Sequence, residues 1–444
     1  MVTSPSAMNR VDGGRRSGIR WGPICRSLLV TAVAGLCGVF GPVSLWAQSA
    51  GSSETESPSE KIRRIEEKYI KDLEDLRRRL GVVETQQSHL MDEMAQHIKV
   101  GAYGVVSFDS FQNQQTTNNG KLEMLMSGNF HNRIRVYNEI DLGVPEGRIE
   151  AEQAYVDFLI DKPINFRAGV LLIPFGKFNL DHFDPRRDFT DRPVVDLDII
   201  PTTWSDIGFS LFGLIPLGSS AHATYEVQVV NGLTDAFTAA AQGTPGSPTN
   251  GVVTPTLGLS DAKSELFPDN NGDKAVVART TLKFLDQYEF GFSGYRGAYK
   301  PSGGDLITAF SADLEWKPRG VPIWENFEIR SEFAQFDIEG STAPSKLWGT
   351  YTQVNYKFWP SSLNNSFLGR GFTSPQFALL GLFGHSQIDT TAVVGGKLYE
   401  DEFRIGMNYR PMPDYVIKAE YQFNSGQLRH GSADGFQFSI AWIF

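Results

Sequence analysis

Gly435-Phe436-Gln437-Phe438-Ser439-Ile440-Ala441-Trp442-Ile443-Phe444 carries two different surfaces on one stretch of chain. A strand repeats every two residues, so Phe436, Phe438, Ile440, Trp442 and Phe444 share one face, with Gln437, Ser439 and Ala441 on the other. Only Ile443 breaks the pattern. In a soluble sheet the large face would meet a core and the small face water. In a transmembrane barrel the same parity turns the rings to lipid and the small groups to a wet lumen. The alternation alone allows both.

The rest of the chain decides between them. From Val100 onward the apolar pattern has period two and keeps it. Phe130, Asn132, Ile134 and Val136 alternate with Arg133, Arg135, Tyr137 and Glu139, and Tyr415, Ile417, Ala419, Tyr421 and Phe423 alternate with Lys418, Glu420 and Gln422. Charge at every second place suits a water-filled interior far better than a packed one. The segments number about sixteen, an even count that returns both ends of a closed antiparallel barrel to one side. The second (121–127) and third (129–142) are split at a break chosen partly for parity. The final strand, stopping on an aromatic, resembles the closing strand of bacterial outer-membrane β-barrels. The expected fold is an all-β transmembrane barrel spanning 100–444. With the last strand running toward the periplasm, Arg410–Pro413, Asp286-Gln287 and Asp161–Pro163 fall inward as short turns. The long stretches 232–274 and 175–205 fall outward. Pro360 to Thr373 is an inward connection longer than this asymmetry explains.

Before the barrel, 1–47 reads as an export signal. Arg10, Arg15, Arg16, Arg20 and Arg26 precede an apolar run from Leu28 to Phe40, too short for a membrane anchor and broken by Gly41-Pro42. Both cysteines, Cys25 and Cys37, lie in it, so the exported chain needs neither disulfide nor thiol site. Five Arg against Asp12 give the segment +4; removing it from the formal −10 leaves −14. Such a balance argues against nucleic acid as a partner. After a Ser/Glu-rich linker, 48–59, residues 60–99 carry dense charge without Pro. Ile62, Tyr69, Leu76, Val83 and Leu90 recur every seven residues, with Leu73, Leu80 and Met94 in the second row. That is a heptad seam, read as a periplasmic coiled-coil helix that associates with itself.

The functional stretch is 175–205. About thirty residues with this much charge is long for an ordinary connection. A sixteen-stranded barrel leaves a channel too wide to select by size, and a loop folded into the lumen would narrow it. Asp181, Asp184, Asp188 and Asp191 are expected to face Arg186, Arg187 and Arg192, or the pore-wall arginines Arg133, Arg135 and Arg167. Opposed rows of charge would then order polar solutes across the constriction.

Ala154-Tyr155-Val156-Asp157-Phe158 and Phe166-Arg167-Ala168-Gly169-Val170-Leu171-Leu172-Ile173-Pro174-Phe175-Gly176-Lys177 resemble the phosphate-selective porin O and P family. Trp204–Gly208 and Tyr225–Gly232 are similar to the segments that follow in that family. The resemblance implies a trimeric outer-membrane channel with a constriction loop after the fifth strand. Family members hold phosphate with clustered lysines and arginines, whereas this loop has Asp181, Asp184, Asp188, Asp191, Asp196 and Asp198 against three Arg and Lys177. No anion-site residue is carried over.

The seven histidines are scattered, and none stands at metal spacing from a second ligand. No serine–histidine pair exceeds chance, so no catalytic group, cofactor or metal is expected. The function expected is passive diffusion of small polar or ionic solutes across the outer membrane. The alternative is a structural envelope protein that the barrel anchors in the bilayer.

Overall fold

A computed structural model of the chain describes residues 98–144, 148–235, 258–263, 269–341, 343–390, 396–428 and 431–444, with Lys68, Lys71, Asp72 and Asp75. The export segment 1–47 and linker 48–59 lie outside the described residues. Of the coiled coil 60–99, those four residues are helical, while Ile98 and Lys99 already open the first strand.

Sixteen antiparallel strands follow one another in a single closed sheet. They are β1 (Ile98–Phe111), β2 (Thr117–His131), β3 (Ile134–Val144), β4 (Arg148–Asp161), β5 (Ile164–Leu172), β6 (Ser205–Pro216), β7 (Ala221–Val230) and β8 (Ala275–Phe284). The second half is β9 (Tyr288–Ala298), β10 (Leu306–Trp316), β11 (Phe327–Ile338), β12 (Lys346–Phe358), β13 (Gln376–Asp389), β14 (Lys397–Met412), β15 (Tyr415–Gly426) and β16 (Gly435–Ile443). Each pairs with its neighbours in sequence, and β16 closes on β1 with Phe438 opposite Phe108. Beyond the last strand, Ala102 and Phe444 exchange backbone hydrogen bonds of 2.9 Å in both directions. Closure leaves no strand edge unpaired, which a sheet in hydrocarbon requires.

The parity of β16 falls as the alternation demands. Phe436 and Ile440 are each 41% exposed, whereas Gln437 is 3% and Ser439 0% exposed. The large face therefore looks outward and the small face inward. Trp442 is only half-buried on the outer face because its ring lies over Gly104, where a side chain would collide with it. The outward face elsewhere carries exposed Met124, Phe209, Phe292, Phe310, Phe383 and Phe403.

Two details differ from the sequence reading. The alternation from Phe130 to Val136 does not run through one strand. His131 ends β2 and Ile134 begins β3, with a turn between them in which the Arg133 N–H donates to His131 Nδ1 at 3.3 Å. Register with the neighbours overrides local alternation here, since Met126 pairs with Asn138 and Tyr137 with Tyr155. Second, the inward connection after β12 occupies residues 359–375 and holds a short 3₁₀ turn, Ser361–Leu363.

Candidate functional site

The connection between β5 and β6, residues 173–204, leaves the wall at Pro174-Phe175-Gly176. Gly176 has φ +74°, and a Cβ there would strike the Glu332 carboxylate of β11. Only glycine tolerates both demands. The freed backbone is capped at once: the N–H groups of Lys177 and Phe178 each donate to Glu332 Oε2 at 3.0 Å. Asn179 then ties the two ends of the loop together. Its amide donates to the carbonyls of Ile173 (2.8 Å) and Trp204 (3.1 Å), and its Oδ1 accepts from the Trp204 N–H at 2.8 Å.

One side of the loop is apolar. Ile173, Phe175, Val195, Ile199, Ile200 and Trp204 join Tyr295, Phe336, Leu347, Tyr351, Leu380 and Leu382 of the strands in one buried cluster. The Phe175 ring lies 5.0 Å from that of Phe336, and Trp204 5.2 Å from Tyr295. Each fully buried side chain of this size contributes roughly 1.5–3 kcal/mol. This corrects the expectation of an evenly ionic inner parity: on β13 the positions facing the cluster are Ala378, Leu380, Leu382 and Ile388, all buried.

The other side is polar, and its partners are charged strand residues. A loop without regular structure leaves backbone groups that must find partners when buried. Arg404 supplies two, donating to the carbonyls of Asp191 (3.0 Å) and Arg192 (2.7 Å) while pairing with Glu402 at 2.5 Å. Lys418 donates to the carbonyls of Asp184 (2.9 Å) and Phe189 (3.1 Å). In the opposite sense, Glu420 accepts from the Thr190 N–H at 2.7 Å and Glu402 from the Val194 N–H at 2.9 Å. The Thr190 and Ser439 hydroxyls are 2.9 Å apart. These partners all stand on β14, β15 and β16.

The expected site residues are distributed as follows. Asp184 and Arg187 form an ion pair within the loop. Asp188 accepts from Gln353 (2.9 Å) and Asn355 (2.7 Å) and lies 3.5 Å from Arg410. Asp181 stands 4.0 Å from Arg330. Arg192 donates to the Thr202 carbonyl and to Thr203 Oγ1 at 3.1 Å, and Asp191 Oδ1 accepts from the Arg192 N–H at 2.9 Å. Arg186 is exposed, its guanidinium over the Phe183 ring at 5.2 Å. Lys177, Asp181, Arg187, Asp188, Asp191 and Arg330 line a common cavity.

The wall arginines need correcting. Arg133 lies in the exposed β2–β3 turn rather than in a strand. Arg135 and Arg167 are strand residues, but both bind Asp157, at 2.5 and 2.6 Å, and not the loop acids. Arg167 also stacks 4.0 Å above Tyr155. The strand cations that meet the loop include Arg330, Arg404, Arg410 and Lys418. Their signal was present as charge on the small parity of β11, β14 and β15, but sequence alone does not say which strand lies opposite a loop.

Electrostatics within the loop follow burial. Burial, and after it Arg192, pulls the Arg187 guanidinium down to about 10. Burial would also depress Lys177, but ion pairs to Glu315 (3.0 Å) and Glu289 (2.8 Å) outweigh it and raise its pKa. Burial, then Glu332, drives the Asp196 carboxyl well above the usual range.

His182 is a further correction. It is buried, and its Nε2 faces two strand carboxylates, Glu152 at 3.0 Å and Glu139 at 3.5 Å. Sequence spacing hid this, because the three residues come from β3, β4 and the loop.

No family model matches the chain. A curated relative from Aquifex aeolicus (strain VF5), an uncharacterized protein, is 24% identical over 381 residues, covering 78% of this chain and 80% of its own. Salmonella typhi OmpF, solved in complex with daunomycin, superposes with a TM-score of 0.51 at 11% identity, over 78% of this chain and 97% of that one. The outer membrane channel DcaP of Acinetobacter baumannii has a TM-score of 0.48 at 9% identity, covering 79% and 98%. The likeness to OmpF is one of fold: a closed barrel, here of sixteen antiparallel strands.

Proposed function

We propose that the chain is an outer-membrane porin, passing small polar or ionic solutes by diffusion through a barrel that the 173–204 loop crosses and narrows. The observation that carries this reading is the set of hydrogen bonds from one loop to inward-parity side chains on β11, β12, β14, β15 and β16. A loop lying outside the barrel could not reach Ser439 and Glu420, whose parity is opposite to that of the exposed rings. Asp181, Asp184, Asp188, Asp191, Arg186, Arg187 and Arg192 then border the constriction, with Arg330 and Lys177 added. A homotrimer remains part of this proposal, resting on the resemblance to a family of trimeric channels, with the heptads of 60–99 supplying a self-associating helix.

Solvent-facing charge favours anions weakly. Arg135 is 43% exposed over a buried Asp157, and Lys317 and Lys357 are 41% and 35% exposed over a Glu328 that is 3% exposed. Cations reach the water while their carboxylates lie beneath, so the interior weights ions by sign. The acids along the loop offset this.

Purified protein in a planar bilayer tests the proposal. Stable conductance steps with a reversal potential on the anion side of neutral are expected. A silent membrane with correctly folded protein would leave the barrel as an anchor for the envelope.

A further inference from the structure

We propose that Glu139, Glu152 and His182 form a binding site for a divalent transition-metal ion of the zinc class, which staples the 173–204 loop to the β3–β4 wall. Three ligand atoms from three segments converge there, within 4.8 Å of one another. His182 Nε2 lies 3.0 Å from Glu152 Oε2 and 3.5 Å from Glu139 Oε1. Zinc bonds of about 2.0–2.1 Å in a tetrahedron set ligand atoms about 3.3 Å apart. The separations are compatible with such a tetrahedron.

The far atom of every ligand is held by something else, which turns the near atoms toward one another, His182 Nε2 in hydrogen-bond contact with Glu152 Oε2. His182 Nδ1 is 3.0 Å from the Asn179 carbonyl, which fixes the Nδ1–H tautomer and turns Nε2 toward the carboxylates. Glu139 Oε2 accepts from Gln153 at 2.6 Å, and Glu152 Oε1 from Lys121 at 3.3 Å. Such outer partners are the usual means of orienting metal ligands. The His182 ring is further fixed by stacking on Phe183 at 5.0 Å.

The independent observation is Glu139 Oε1. The side chain is fully buried, and this oxygen makes no hydrogen bond. A buried carboxylate oxygen without a donor is costly, and a cation in front of it removes the cost. The neighbouring cluster of Glu123, Asp141 and Glu152 is different, because Lys121 already occupies its centre. Glu123, Asp141 and Glu152 face Lys121, whereas the charge of Arg192 also acts on Glu152. A proton on His182 is the competing occupant: although burial opposes it, the Glu139 and Glu152 carboxylates carry the imidazole up to about 9.

The test is metal uptake by the full chain, folded into detergent after chelator treatment, with cobalt(II) as a spectroscopic probe and zinc as competitor. One equivalent per chain is expected, with visible bands that zinc abolishes. His182→Ala should remove them, and Glu139→Gln should weaken binding at least tenfold, on the order seen for perturbed metal sites. His131→Ala should change nothing. Heat-modifiable electrophoretic mobility checks that each variant has folded. Should His182→Ala fail that check, Glu139→Gln, which keeps an oxygen for Gln153, decides alone. The absence of stoichiometric uptake, or uptake indifferent to Glu139→Gln, would overturn the site and leave an imidazolium held between two carboxylates. Neither result depends on whether the barrel conducts.

Discussion

Two long connections leave this barrel at opposite rims, and they behave differently. The 173–204 loop is dense in charge, and strand residues hold it at successive points: Glu332, Lys418, Asn355, Glu420 and Arg404. The 359–375 connection carries Arg370 as its one charged side chain and is held mainly by itself. Trp359 Nε1 donates to Asn364 at 2.8 Å and the Ser366 hydroxyl to the Leu363 carbonyl at 2.7 Å, with Tyr409 donating to the Leu368 carbonyl from the wall. Phe367 stands 86% exposed. Length alone, then, does not dock a loop on the strands. What distinguishes the first loop is a set of strand side chains that match its backbone donors and acceptors.

Substitutions at corresponding points of the two loops should separate them. The largest effect is expected at Arg404→Met, which deserts two loop carbonyls and leaves Glu402 buried without its charge partner. Breaking a buried pair this way costs about 3–5 kcal/mol, seen as lower thermal stability of the purified barrel and noisy conductance. Asn364→Ala in the second connection removes one exposed acceptor and should cost no more than about 1 kcal/mol, with quiet conductance. The comparison fails if the two variants behave alike.

Gly176→Ala comes next. It forces a side chain into φ +74° and against Glu332, so about 1–3 kcal/mol of strain is expected, with an altered current if the loop shifts. Gly371→Ala also meets a left-handed φ, +93°, but nothing lies within 4 Å of its added Cβ. It should lose stability through backbone strain alone and keep its conductance. Smallest of all is Arg186→Ala. The side chain is exposed and touches only Phe183, so stability should move by less than about 0.5 kcal/mol while the reversal potential shifts slightly toward cations. An unchanged potential would remove Arg186 from the path of ions.

Sequence revealed the wall far better than the loop's surroundings. Period-two alternation is a local signal, so β9, β12 and β15 were legible within a residue or two, and the parity of Phe436 and Ser439 followed from ten residues. The β2–β3 break was not, because the turn at Asn132-Arg133 is set by pairing with β4 and not by composition. Loop 173–204 was recognisable from its length and charge. Its partners were not, since Arg404 and Lys418 lie more than two hundred residues away and meet it only after the barrel closes. Glu139 and Glu152 are nearer to His182 in sequence, but on separate strands, and no metal-ligand spacing links the three. The apolar side of the loop had a signal that went unused: Ile173, Phe175, Val195, Ile199, Ile200 and Trp204 form an unexpectedly greasy set inside a charged segment.

The central claim is that this loop lies against the inner wall, and proximity tests it most directly. Thr190 and Ser439 present hydroxyls 2.9 Å apart, and Ser439 points to the inside. The chain's own cysteines, Cys25 and Cys37, fall within the expected export segment, so the double variant Thr190→Cys and Ser439→Cys would place the only two thiols in the exported protein. At this separation the sulfurs are within reach of a disulfide. The account predicts near-complete oxidation to an internal cross-link, visible as a reductant-sensitive mobility shift of the unfolded chain, in barrels that remain folded and conducting. Folded barrels whose two thiols stay free under oxidant would contradict it.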